Sequence, residues 1–408
     1  MDENTYEPEE IQKKEKRQIH SFLAAMIIVC VGTFAGVAVT WSHIYTQTYV
    51  NGLSQISADS ARARHGKFRQ MRQKYMGKAQ AREVKGLYLT AYSAGSDQKL
   101  NAMIDLIHKT ELNAIVIDVK DYSGLVLYDS DIELVNQLGL EDDRLKDPKA
   151  IVDKLHEEGI YVIARQTVFQ DPILAEKKQE WAIKSKNGGL WRDHKGLAWV
   201  DPTKEEVWDY NMQIAKEVAA FGFDEINFDY VRFPSDGNMS LVAYTNGDTP
   251  KYEVMEQFYA NIAKEMEGVP VYTSLDMFGF VMERHDGMSI GQRLEDAVDH
   301  VDYIMPMMYP SHYPSGHLNL DNPADHPGLV FENGMQKGMP YFEEKRAKAR
   351  PWIQAFHLGA VYDAQKIRTQ IDVIEKHTDG GWILWNASNR YGTDGLNMAI
   401  DEDKKEKN

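Results

Sequence analysis

Cysteine is nearly absent: Cys30 is the only one in 408 residues. An intrachain disulfide and a cysteine-based zinc site are both excluded, so a packed core must hold the fold. The sequence also lacks HExxH, a P-loop and a GxSxG elbow, which removes the commonest motif-bearing zinc-protease, nucleotide-hydrolysing and serine-hydrolase chemistries. Its 13 histidines are scattered, and His285, His312, His326 and His357 show no ligand spacing, so neither metal nor cofactor is expected. Basic residues are scarce in most of the chain. The formal net charge is −16, and residues 83–408 carry 34 Lys/Arg against 55 Asp/Glu. A body this acidic repels phosphate backbones, which argues against nucleic acid as a partner.

Hydrophobic residues make up 43% of the chain, enough for a sizeable core. They are distributed in two ways. Phe22–Thr40, "FLAAMIIVCVGTFAGVAVT", runs for 19 residues without a charge, about the length that spans the hydrocarbon core of a bilayer as a helix. Lys13, Lys14, Lys16 and Arg17 precede it, whereas residues 41–61 contain no Lys or Arg. The positive-inside rule then leaves residues 1–21 as a cytoplasmic tail and puts everything after the anchor outside the cell membrane. A cleaved signal peptide is the alternative, but the apolar run is long for one. Residues 41–82 read as a stalk, and 61–82 hold eight Lys/Arg and no acid. A charged tail occupies 401–408.

From residue 83 to about 400 the pattern changes to strands alternating with helices. Strands are predicted at 85–91, 114–120, 161–167, 225–231, 271–277, 303–309, 352–356 and 382–386. Between them, stretches such as "DQKLNAMIDLIHKT" and "KEEVWDYNMQIAKEVAAFG" repeat apolar residues with the helical period. Eight such units in this length predict a (β/α)8 TIM barrel. A doubly wound open sheet would usually carry a glycine-rich turn after its first strand, and "TAYSAGSD" is not one. The connection between strands six and seven is the least regular.

In such barrels the chemistry sits at the C-terminal strand tips. Within "FDEINFDYVRFPSDG" (223–237), Ile226 and Phe228 alternate with Glu225, Asn227 and Asp229. Helices cover the outer face of a barrel strand, so the polar side points inward. A carboxylate there needs partners, and Arg165 and Arg232 are the candidates. Asp276 ends the neighbouring strand. At the ~4.8 Å spacing of adjacent strands, the two carboxyl groups fall roughly 5–9 Å apart, the interval used by retaining and inverting glycosidases. Asp229 and Asp276 are therefore the candidate catalytic pair. Tyr88, Asp118, Lys120, Arg165, Asn227, Arg232, Tyr309, Gln354 and Trp385 are the candidate substrate-binding residues. Trp181, Trp191 and Trp199, in the long connection after the third strand, offer stacking faces for sugar rings, with filling of the base of that loop the alternative for Trp181 and Trp199. Glu225 lies deeper and reads as structural. Asp118 and Asp121 of "DVKD" form only a weak cation-binding pattern.

Five segments, "VKGLYLTAYSAG", "NAIVIDVKDYSG", "YVIARQTVFQDP", "AWVDPTKEEVWDYN" and "FDEINFDYVRFPSDG", occur in order and resemble the bacterial putative glycosyl hydrolase domain family over roughly residues 84–390. That family is described as similar to alpha-amylase-type barrels. The resemblance implies a glycoside hydrolase in which Asp229 matches the strand-four nucleophile. The sequence departs from the amylase pattern in carrying Asn227 where an arginine precedes that Asp. It also has Asp276 where the strand-five acid is usually Glu.

The expectation is thus a membrane-anchored extracytoplasmic hydrolase acting on a poly- or oligosaccharide. A non-catalytic carbohydrate-binding barrel on the cell envelope is the alternative. A metal-dependent hydrolase of another ester or amide ranks third.

Overall fold

The computed structural model describes Lys78, Ala79 and residues 83–399. The expected anchor at 22–40, most of the expected stalk and the charged tail lie outside these residues. Among the described residues no helix is long and apolar enough to cross a membrane.

Eight parallel strands close into a barrel: β1 Val84–Leu89, β2 Ala114–Lys120, β3 Tyr161–Thr167, β4 Glu225–Asp229, β5 Tyr272–Phe278, β6 Tyr303–Met307, β7 Trp352–Gln354 and β8 Gly381–Trp385. Each pairs with the next in chain order, Met307 meets Trp352 between β6 and β7, and β8 returns to β1. The predicted strands are all present, and β2 and β3 have the predicted bounds. Alternation explains the two cores. Val116, Ile163, Met305, Trp352 and Ile383 fill the barrel interior, while Ile115, Ile117, Val162, Ala164, Ile226, Phe228 and Leu275 pack outward under the helices. Burying each large aliphatic side chain stabilises the fold by about 1.5–3 kcal/mol before entropy is counted.

The outer layer contains six longer helices: α1 Asp97–Lys109, α2 Pro148–Glu157, α3 Glu205–Ala220, α4 Lys251–Glu265, α5 Pro327–Gly338 and α6 Ala364–His377. In α1 the buried residues Leu100, Met103, Ile104 and Ile107 recur at i, i+3, i+4 and i+7, one apolar stripe. Asp147 starts α2 by accepting the Ala150 N–H, with Pro148 at the first helical position, where a missing N–H costs nothing.

Two places break the alternation. The β5–β6 connection forms short 3-10 turns at Gly279–Met282 and Gly287–Ser289 and no long helix. Gly287 and Gly291 there have positive φ, incompatible with helix continuation. The seventh stave is split by Pro351, which has no N–H to donate. Lys348–Ala349 pairs with the lower half of β6, and β7 begins only at Trp352. At the β8–β1 seam Gly381 has φ +87°, and a Cβ there would lie 1.9 Å from the Val84 carbonyl oxygen, so the seam closes only on glycine.

Candidate active site

The C-terminal end of the barrel opens into a cavity of about 590 Å³, lined by Arg165, Asp229, Tyr230, Arg232, Asp276, Phe278, Tyr309, His312, Trp352 and Trp385 among others. Arg165, at the end of β3, is its hub. Registers set this arrangement: Arg165 stands beside Asp118 of β2 and Asn227 of β4, and Asp229 stands beside Thr167. Arg165 Nη1 donates to Asp118 Oδ1 at 2.6 Å, and Nη2 donates to Asp229 Oδ2. Its Nε lies 3.6 Å from Asp276 Oδ2. One guanidinium therefore touches three carboxyl groups on three strands. Its faces lie 5.6 Å from the Tyr88 ring and 5.4 Å from the Trp385 ring, which are themselves stacked at 4.1 Å.

The two candidate catalytic acids have different surroundings. Asp229 also accepts the Tyr230 N–H at 2.5 Å. Tyr230 has φ +54°, a left-handed conformation that costs free energy in a bulky residue and turns the chain sharply after the carboxylate. Asp276 Oδ1 accepts from Trp352 Nε1 at 2.6 Å and Asn227 Nδ2 at 3.0 Å. Burial, reinforced by the charge of Asp229, raises the Asp276 pKa well above the usual carboxylate range, with Arg165 and the two donors only partly opposing. Burial also pushes Asp118 up to about 6, against the lowering effect of Arg165 and the Tyr88 hydroxyl, which donates to it at 2.5 Å. For Arg165 itself, burial opposes the charge but Asp229 and Asp118 outweigh it, keeping the guanidinium protonated. An acid with a raised pKa thus sits next to a carboxyl group paired with Arg165, and such unequal surroundings suit splitting acid and base roles between two identical side chains.

Of the residues singled out from sequence, Arg165, Asp229, Asp276, Arg232, Tyr309 and Trp385 line the cavity. Tyr88 and Asp118 hold Arg165 in place, and Asn227 holds Asp276. Three expectations need correction. Lys120 does not face the site: the β2 register shifts between Asp118 and Lys120, and its ammonium is fully buried on Asp171, at 2.8 Å, and on the Thr167 carbonyl. Gln354 is a loop clamp, accepting from the Ser311 N–H and donating to the Phe356 and Leu358 carbonyls. Arg232 lines the cavity but forms no ion pair with Asp229; it donates to Phe233 O and Ser235 Oγ, both at 3.1 Å. Among the loop tryptophans, Trp191 and Trp199 are buried, so they fill the base of their own loop. Asp121 caps its turn by accepting from Ser123, and no group of metal-ligating residues occurs among the described residues.

Sequence reasoning missed Trp352, which supplies the shortest donor to Asp276, and the aromatic wall of Tyr230, Phe278, Phe280 and Tyr313. Trp352 was legible as the first residue of a strand, but its inward direction depends on where Pro351 splits the stave.

A closed parallel barrel with paired acids at its C-terminal end is the frame of many glycoside hydrolases, and comparison with solved structures agrees at the level of fold. The PgaB (BpsB) glycoside hydrolase domain from Bordetella bronchiseptica superposes with a TM-score of 0.56 at 12% identity, covering 75% of this chain and 95% of that one. The endo-beta-1,4-mannanase from Thermotoga petrophila gives 0.50 at 10% identity, covering 79% and 72%. A hypothetical protein from Ruminiclostridium thermocellum ATCC 27405 is 40% identical over 46% of this chain and 96% of its own, with a TM-score of 0.43. No curated protein sequence matches. Residues 86–391 match the family described as "Putative glycosyl hydrolase domain", and the chain belongs to that family.

Proposed function

We propose that the barrel hydrolyses glycosidic bonds, with Asp276 donating the proton to the leaving oxygen and Asp229 acting at the anomeric centre as nucleophile or base. The observation that carries this reading is the unequal acid pair on one guanidinium. Burial and the neighbouring charge raise the Asp276 pKa well above the usual carboxylate range, while Asp229 accepts from Arg165 and from the Tyr230 N–H. Trp385 and Tyr309, both in the cavity wall, supply the flat apolar faces on which a sugar ring packs. Anchoring by Phe22–Thr40 with the barrel outside the cytoplasm belongs to the same proposal, and makes envelope or environmental glycans the accessible substrates.

The test is a screen of the full chain on bacterial envelope and plant polysaccharides, beside Asp229→Asn. Cleavage abolished in the variant is the expected result. Absence of cleavage on every glycan, or equal cleavage by the variant, rejects the reading. The depth of Asp276, 1% exposed, favours a second reading, a barrel that binds glycan without cutting it. Glycan binding in calorimetry with no turnover over days would select it.

A further inference from the structure

Arg232 is the unexplained charge in the cavity wall. It is 8% exposed, follows Asp229 by three residues and lies on the same cavity, yet no described carboxylate forms an ion pair with it. Burying a guanidinium without a paired counter-charge is costly, and the protein offsets this with ring faces, two hydrogen bonds and the more distant charges of Asp229, Asp236 and Asp193. Trp199, Tyr230 and Phe278 lie 4.9, 5.3 and 4.7 Å from it. Nη1 makes both of its hydrogen bonds, to Phe233 O and Ser235 Oγ; Nε and Nη2 donate to nothing among the described residues. Neither Nε nor Nη2 of Arg232 is sealed from solvent, so its unused edge is accessible. That Nε–Nη2 edge is a planar two-donor fork, the geometry that matches an oxyanion.

A second feature points the same way. Beyond Phe278, which belongs to both walls, lies a cavity of about 320 Å³ lined by Ser235, Tyr244, Lys251, Met288 and Ser289 among others. Lys251 Nζ sits 3.9 Å over the Tyr244 ring and donates to the Ser289 carbonyl at 2.8 Å, and it too forms no ion pair among the described residues. Lys251 is the first residue of α4, where the helix dipole disfavours a cation, and burial lowers its pKa to about 8. The turn that holds it carries Met288 and Ser289 at φ +48° and +60°, strained for side-chain-bearing residues.

We propose that the substrate is an anionic glycan: Arg232 reads an oxyanion on the sugar in the catalytic cavity, and Lys251 reads a second one on the neighbouring sugar. This rests on the glycoside hydrolase reading above and adds the substrate class. The acidic body does not oppose it, since repulsion is screened beyond about 8 Å in physiological salt, whereas contact inside the cavity is not.

The experiment measures binding of the full chain to polygalacturonate and to its carboxyl-reduced form. A second arm uses a phosphomannan before and after removal of its phosphate, which separates carboxylate from phosphodiester recognition. At least tenfold tighter binding of a charged polymer than its neutral form is expected in one arm. Arg232→Gln should bring that ratio close to one. Lys251→Gln, at a half-buried position, should lower it severalfold and serves if Arg232→Gln does not fold. Equal binding of charged and neutral forms in both arms, or ratios unmoved by both substitutions, overturns the proposal. Cleavage of a neutral glycan with no such preference would keep the hydrolase reading and reject this one. A charge preference that depends on these residues, with no cleavage, would do the reverse.

Discussion

At the scale of single residues, the site depends on where one proton sits. Asp276 is buried and faces the charge of Asp229, so its carboxyl stays protonated well above the ordinary range. Two consequences follow for Asp276. Replacing Asp229 by Asn removes the neighbouring charge, so the Asp276 pKa should fall part of the way back, since burial is the larger cause and remains. Carboxyl carbon NMR of labelled protein reads that fall, and an unchanged value would show that the two acids do not interact. Asp276→Asn should lower kcat by about 10²–10⁴-fold on a natural glycoside, and much less on an aryl glycoside whose leaving group needs no proton. Equal losses on both substrates would remove Asp276 from the donor role. The sign for stability is the reverse of the usual carboxylate case. The folded state holds protons on Asp276 and Asp118 that the unfolded chain releases near pH 4, so stability falls as pH rises through that window, ending near 6 for Asp118. Strand alternation made Asp229, Asp276 and Arg165 legible in the sequence. It failed for Lys120, where a register shift turned the side chain out of the site, and for the pairing of Arg232, where left-handed Tyr230 ends the alternation.

At the scale of elements, the weak stave is the seventh, and a buried ion pair crosses to it. Arg350, at the split beside Pro351, donates through Nη1 to both Glu225 oxygens at 2.8 and 2.7 Å, and through Nε to the Gly380 carbonyl at 2.9 Å. Its guanidinium lies 3.5 Å from the Tyr303 ring, and Tyr161 donates to Glu225 Oε2 at 3.0 Å. Four staves are thereby tied below the catalytic layer, with both charges fully buried. Glu225→Gln leaves the Arg350 charge without its counter-charge and should cost about 3–5 kcal/mol. The denaturant midpoint measures it, with an unchanged slope expected. The pH–rate profile should stay the same, because this layer does not contact the acid pair. A loss below about 1 kcal/mol would mean that the pair adds nothing beyond its hydrogen bonds. Glu225 was legible as a structural acid from its depth in the strand, and its partner was not, because Arg350 lies 125 residues away in a stretch that reads as loop. The β5–β6 connection was illegible for a related reason: its polar and apolar residues allow a helix, and the positive φ of Gly287, Met288, Ser289 and Gly291 forbids one.

At the scale of the whole molecule, the cleft and the point where the chain enters the barrel lie at opposite ends. Ala79 is buried with Val84 and Tyr161 in the interior core, and its carbonyl accepts from the Tyr272 hydroxyl at 2.7 Å, at the first residue of β5. Lys78 lies 4.9 Å over the same ring. Asp229 and Asp276 are at the far ends of their strands. The cleft therefore opens at the end of the barrel away from Ala79. The proposal that the barrel lies outside, held by Phe22–Thr40, rests on charge: four basic residues precede that apolar run and none occur in residues 41–61, the asymmetry of the positive-inside rule. The eight Lys/Arg of residues 61–82 make the connection a run of trypsin sites. Trypsin added to intact cells, or to spheroplasts where an outer membrane exists, should release a soluble barrel that keeps its glycan-binding activity. Protection of the chain until lysis would reverse the orientation. Recovery of the barrel in the medium before any trypsin, with a mature N-terminus near Val39, would replace the anchor by a cleaved leader.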